Sequence, residues 1–439
     1  MNLQTKSGLI RSLSLGALTI YGVGDILGAG IYAVVGKIAG HAGPLTWVSF
    51  LIAMSVVFLT ALSYSELCSR FPKSGGVSIF IQEAFGQQWF SILVGFLLFC
   101  ATIFSMSTLS QAFIGYLRAL GFKFPNWIGI AGFLSVLLLI NVRGIKQSSI
   151  TNIVSTVIEV SGLLIVLACG CWYLLKTNSL PIVVTPENLP TIKEVFQGAA
   201  LAFFAFIGFE DLANIAEEVK NPERNLPRGI LYSLGVAGIL YLSVSWMATA
   251  IIPGDELGQS DSPLLDVVSK TYPPMPIYLF SVIAIFAVSN STLVNYITAS
   301  RLLYGMSTIN LLPKFLQTVH HRYHTPYVAI LLVFPIVLAL SVTGTLKTLA
   351  GSTSAIILTV FSLSSLALIK IKRKERNKNT RISVFHIPIW VPWIAMILNI
   401  TVIGFLPLRS IVPAVLLFGI GFLFIACFYI VRMKWSERP

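Results

Sequence analysis

The stretch Gly22-Val23-Gly24-Asp25-Ile26-Leu27-Gly28-Ala29-Gly30-Ile31-Tyr32 lies inside an apolar run over 14–38. Its four glycines fall within nine residues, and each weakens a helix by about 1 kcal/mol relative to alanine. The spacing GxGxxxGxG differs from the dinucleotide fingerprint, and no strand pattern precedes it. Close packing through the small pair Gly24 and Gly28 explains those two glycines but neither Gly30 nor the acidic Asp25. The sharper reading beside it is an unwound break at Gly28-Ala29-Gly30. Non-helical backbone at membrane depth survives only where it lines a cavity or is buried in protein. A helix restarting near Ile31 would aim free N–H groups and a positive dipole end into that cavity, which suits a carboxylate.

A membrane is the setting because the rest of the chain demands one. Of 439 residues, 56% are hydrophobic and 11% charged, with mean hydropathy +0.84. A soluble domain carries about 25% charged residues, and a chain this apolar does not stay solvated and disordered. Twelve apolar runs recur, at 14–38, 44–69, 88–118, 125–141, 152–175, 194–216, 228–252, 276–304, 325–343, 346–369, 388–406 and 410–431. Their length predicts helices rather than barrel strands. The first run lacks a small-residue cleavage pattern and is expected to be a retained span. With the amino terminus in the cytoplasm and loops alternating, Lys37, Arg118, Lys123, Lys176, Lys193, Lys270, Lys347 and Arg409 fall outside, and the other 22 of 30 basic residues fall inside. That bias supports twelve spans with both termini cytoplasmic, and it accounts for the net charge of +13 without nucleic acid. The basic run Lys370–Arg381 is expected to be a topology-setting loop. The five cysteines lie in or beside apolar runs and form no CxxC pair, which predicts unpaired thiols and no metal site.

A second interruption is expected in the sixth run, at Phe203-Phe204-Ala205-Phe206-Ile207-Gly208-Phe209-Glu210-Asp211. Adjacent acids inside an apolar run are costly and mark function by default. Carbonyls at the end of the first half-helix would suit an ammonium group. Spans one and six lie five apart. Five is odd, so the second set of five begins on the opposite face, giving an inverted pair of repeats with a break in the first helix of each. Transporters use that arrangement for a midplane site.

Four ordered segments carry a family resemblance: Gly28–Tyr32; Glu66-Leu67-Cys68-Ser69-Arg70-Phe71-Pro72-Lys73-Ser74-Gly75-Gly76; Phe203–Glu210 running into Glu217–Arg228; and Ala299–Met306 with Leu312-Pro313. Together they span about the first three quarters of the chain. The sequence resembles the amino acid–polyamine–organocation superfamily of permeases, in the style of bacterial amino acid permeases and cationic amino acid transporters. The resemblance implies an all-α integral membrane protein of the leucine-transporter type, a 5+5 inverted repeat with broken helices 1 and 6. The first repeat would cover 12–193 and the second 194–370, with 371–439 as a cytoplasmic loop and two trailing helices. It implies that Ile26, Gly28, Ala29 and Gly30 face a substrate carboxylate and that Ala205, Phe206 and Gly208 offer carbonyls to its amine. Phe204 falls at a gating aromatic position, with Phe in place of Trp. The stretch Glu217–Pro227 reads as a connector whose Pro222 and Pro227 end helices.

Glu159 lies in the fifth span with no basic neighbour within a helical turn. Some proton-coupled members of the superfamily carry a lysine there, and sodium-coupled relatives hold a cation nearby, so the glutamate departs from both. Three roles stay open for it: a proton carrier acting with Asp25, a sodium ligand with Ser289 and span-one carbonyls, or a plain interhelical hydrogen bond. Glu210 is a candidate selector of basic side chains or a hydrogen bond at the break. The expected activity is secondary active transport of an amino acid by alternating access, proton-coupled or exchanging. No cofactor is expected, only a proton or sodium gradient. The partners are the amino acid and the lipid bilayer, with no nucleic acid, and the protein is a monomer or homodimer of a bacterial inner membrane. Alternatives are a polyamine or other amine carrier and an amino acid sensor without net transport. GxxxxGK[ST], which would supply ATP energy, is absent, and an intramembrane enzyme is disfavoured since HExxH and GxSxG are absent.

Overall fold

The computed structural model describes residues 11, 13–28, 30–73, 76–143, 149–177, 189–308, 312–323, 325–378 and 385–436, and within these the side chains except at 149–153, 308, 376–378 and 424–436. In chain order the helices are α1 (Leu15–Leu27), α2 (Gly30–Ala42), α3 (Thr46–Arg70), α4 (Gly76–Phe85), α5 (Gln88–Ala119), α6 (Asn126–Arg143), α7 (Ser149–Thr177) and α8 (Ile192–Ala202). They continue as α9 (Pro222–Ile251), α10 (Gly254–Gln259), α11 (Pro263–Thr271), α12 (Ile277–Thr308), α13 (Tyr327–Thr343), α14 (Leu346–Lys378), α15 (Trp390–Phe405) and α16 (Leu408–Ser436). Among the described residues the one extended pairing is an isolated bridge between Leu13 and Val219.

The apolar runs map closely onto these helices. α3, α5 and α6 match the runs 44–69, 88–118 and 125–141 within two residues at each end. The run 14–38 divides into α1 and α2, and the run 194–216 into α8 followed by 3-10 turns at Phe203–Phe206 and Phe209–Ala213. Among the described residues eight helical stretches are long and apolar enough to cross a membrane, and α1, α4, α13, α15 and 408–423 are shorter apolar helices. Val157, Leu164, Ile239, Val282 and Ile397 stand exposed on four of the helices, α7, α9, α12 and α15. An apolar surface of that extent fits lipid rather than water, and the chain is a multi-pass membrane protein.

Local chemistry fixes the helix starts. The Ser14 hydroxyl accepts from Ala17 N at the head of α1. Thr191 and Glu194 form a reciprocal capping box at the head of α8. Pro222 begins α9 rather than ending a helix, and Pro227 sits inside it. The first helical position needs no N–H donor, and the fixed φ of proline suits it.

The basic run after α14 also differs from expectation. The helix continues to Lys378, and Lys372 is buried. Its ammonium pairs with fully buried Glu66 at 2.7 Å. The same carboxylate takes Arg70 and His386 as partners and accepts from Ile387 N at 2.9 Å, while Arg70 also pairs with Glu375. A buried carboxylate at the bundle's end recruits cations that the sequence alone places in solvent.

Candidate functional site

Helix α1 ends at Leu27. Gly28 closes it with N–H donated to Gly24 O at 3.1 Å, and α2 begins at Gly30. Ala29 lies outside the described residues. In the second interruption α8 gives way to the 3-10 turn Phe203–Phe206, Ile207 is extended, and Gly208 takes φ +132°. That positive φ disfavours side chains and interrupts the helix between the two turns.

The two interruptions press on each other. A Cβ on Gly30 would stand 2.7 Å from Ala205 Cα, and one on Gly208 would stand 2.7 Å from Asp25 O. A Cβ on Gly28 would meet Ser291 Oγ of α12 at 2.2 Å. Glycine is therefore required by close backbone approach as well as by unwinding.

Between the breaks lies a cavity of about 50 Å³ lined by Asp25, Ile26, Gly30, Phe204, Ala205 and Gly208. Ser105 and Leu109 of α5, Ile207, Asp211, and Ser291, Val294 and Asn295 of α12 complete it. A neighbouring cavity of about 120 Å³ shares Ser105, Ile207, Asp211 and Asn295 with it and adds Tyr64, Glu210, Asn214 and Thr353. On α5, Leu98, Thr102, Ser105 and Leu109 follow one helix face from the second cavity into the first. The first-turn N–H groups of α2 have no partners within their own helix, and the helix opens at the first cavity through Gly30.

Other sequence candidates sit elsewhere. Phe206 is buried against Phe50 and Tyr241, with ring centroids at 6.3 and 5.1 Å, and does not line the central cavity. Glu210 folds back so that its Oε2 accepts from Gly208 N at 2.9 Å, and Tyr64 Oη donates to Glu210 O at 3.2 Å. Glu159 turns toward α12, where Asn290 Nδ2 donates to its Oε1 at 3.0 Å and Oε2 has no partner. Ser289 instead donates to Ile285 O within its own helix. Asp25 Oδ2 is likewise buried without a partner. Among the described residues no group of three or more His, Cys, Asp or Glu could hold a metal ion.

Two apposed breaks around a shared cavity are the geometry of a carrier. Residues 13–432 match the amino acid permease family. The chain belongs to that family. It is similar to the branched-chain amino acid permease BcaP of Bacillus subtilis, at 29% identity over 89% of this chain and 87% of the relative. It is also similar to the chloroplastic cationic amino acid transporter 9 of Arabidopsis thaliana, at 33% identity over 71% of this chain and 58% of the relative. A third relative is the methylthioribose transporter of Bacillus subtilis, at 29% identity over 89% and 87%.

The permease therefore belongs with amino acid carriers, not enzymes. Sequence reasoning flagged Asp211 as a costly acid at the second break, but missed Ser105, Ser291 and Asn295 as cavity residues and Asn290 as the partner of Glu159. One signal was available. Asn290, Ser291 and Asn295 belong to a polar cluster with Ser289 and Thr292 in the middle of a long apolar run, and such residues seldom face lipid.

Proposed function

We propose that this permease moves an α-amino acid across a bacterial inner membrane by alternating access. Twelve spans would form inverted repeats over 12–193 and 194–370, both termini cytoplasmic. The substrate carboxylate docks on the N–H groups that open α2, and its ammonium docks on the carbonyls around Ala205. One observation carries this reading: both interruptions open onto the same cavity, with Gly30 and Ala205 in contact across it. A substrate lacking the carboxylate would leave the α2 N–H groups unpartnered, which disfavours a simple amine carrier. The relatives' names add branched-chain and cationic amino acids as the first substrates to try. Purified protein in liposomes should take up labelled leucine or lysine, and amino acid esters and amides should compete poorly. Strong competition by esters and amides would remove the carboxylate assignment.

Coupling to protons through Glu159 is part of the same proposal. A fully buried carboxyl with one oxygen unpartnered is suited to gain and lose a proton as the surrounding helices move. Its bond to Asn290 links α7 to the helix that supplies Ser291 and Asn295 to the cavity. An inward proton gradient should stimulate uptake, and Glu159→Gln should abolish the stimulation. Uptake indifferent to the gradient in the wild type removes this role.

A further inference from the structure

We infer that Tyr241 is a positioning residue that ties the two helix breaks together and sets how the Ala205 carbonyl meets the substrate amine. The inference rests on the reading of the breaks given above. Tyr241 belongs to α9, which is part of neither break, and its side chain is fully buried. Its hydroxyl lies 2.6 Å from Ile26 O and 3.0 Å from Ala205 O.

Each of these carbonyls has lost its ordinary helical donor. In continuous helices Ile26 O would accept from the N–H of residue 30, and Ala205 O from that of residue 209. The first helix stops at Leu27, and Gly208 turns the chain away before Phe209. A carbonyl left without a donor in this interior is costly, and one hydroxyl serves both.

The hydroxyl is fixed in place. Its ring packs between Phe50 and Phe206, with centroids at 5.9 and 5.1 Å. Two turns earlier on α9, Ser233 Oγ donates to Thr19 O of α1 at 3.0 Å, anchoring the same helix to the first broken span. A phenol has one proton, shared here between two acceptors. An ammonium group arriving at Ala205 O satisfies that carbonyl and releases the proton wholly to Ile26 O. Occupancy of the second break is thus transmitted to the end of α1.

Tyr241→Phe deletes the hydroxyl and keeps the ring. The test measures inhibition of uptake by two pairs of compounds, L-leucine with 4-methylpentanoate and L-lysine with 6-aminohexanoate. Each pair shares side chain and carboxylate and differs only in the α-amine. Wild type should prefer the amino acid in at least one pair. In Tyr241→Phe the affinity for that amino acid should fall about tenfold, the size of one net hydrogen bond that holds the carbonyl in place, while that for its des-amino analogue stays unchanged. An unchanged preference overturns the inference, as does an equal loss for both compounds, which marks general damage. A wild type without preference in either pair overturns the reading of the second break and this inference with it. Where Tyr241→Phe does not fold, Tyr241→Met carries the same expectation.

Discussion

At the scale of single residues the site is defined by atoms that are missing. At Gly30 and Gly208 an added Cβ would stand 2.7 Å from another backbone, closer than real side chains come. Gly30→Ala should therefore abolish uptake. Overpacking of this kind also costs roughly 1–3 kcal/mol of stability, readable as a lower melting temperature of the purified protein. Gly235→Ala on α9 is the matched comparison, because nothing lies within 4 Å of its added Cβ. There a loss of backbone freedom should raise stability by about 0.5–1 kcal/mol and leave uptake unchanged. Equal behaviour of the two variants would remove the close-approach argument. These glycines were legible because a helix former was absent where one was expected. Asn290 and Tyr241 were not legible as partners of Glu159 and Ile26. Those contacts join residues 131 and 215 positions apart, and only the packed bundle decides which side chains meet.

At the scale of elements the apolar runs decided most of the architecture, since a bilayer demands long helices with internally satisfied backbones. What they left undecided were the amphipathic pieces. α4 is too short to register as a span, and α10 and α11 lie between α9 and α12 in a stretch that reads as a polar loop. The extension of α14 is the clearest case, because a basic run reads as solvated until its partner is known. That partner predicts an outcome. Glu66→Gln leaves Arg70 and Lys372, both nearly inaccessible, with Glu375 as their remaining carboxylate. Breaking a buried pair in this way costs about 3–5 kcal/mol. The melting temperature should fall well below that of the wild type, and a fall no larger than that of a surface substitution would show that the node is solvated.

At the scale of the whole molecule the two ends of the bundle are unlike. The central cavity shares four lining residues with the cavity around Tyr64 and Glu210, and none with the larger depression lined by Lys37, Arg118 and Asp261. Near that depression α2 is sealed against α10, where Gly40 meets Gly258 and Lys37 Nζ donates to Gly258 O and Ser260 O at 2.7 and 3.0 Å. Alternating access as proposed would require this asymmetry to reverse, with α1 moving. The contacts of α1 say what moves with it. Leu13 N donates to Glu218 O at 3.0 Å, and Lys220 N donates to Leu13 O at 2.9 Å, joining the approach to α1 to the chain that leaves the second break. Leu18 fills the space beside Gly229, and Ser233 holds Thr19 O, joining α1 to α9. These links predict a rigid body made of α1, the 218–220 stretch and α9, moving against α5 and α12 across the cavities. Neighbours in a parallel bridge are close enough for a disulfide. Leu13→Cys with Val219→Cys, made in a Cys171→Ser background to remove an exposed thiol, should cross-link on oxidation. Uptake by the cross-linked protein should equal that of the reduced protein. Arrest on oxidation with recovery on reduction would mean that α1 swings alone, and that the bridge must open in every cycle.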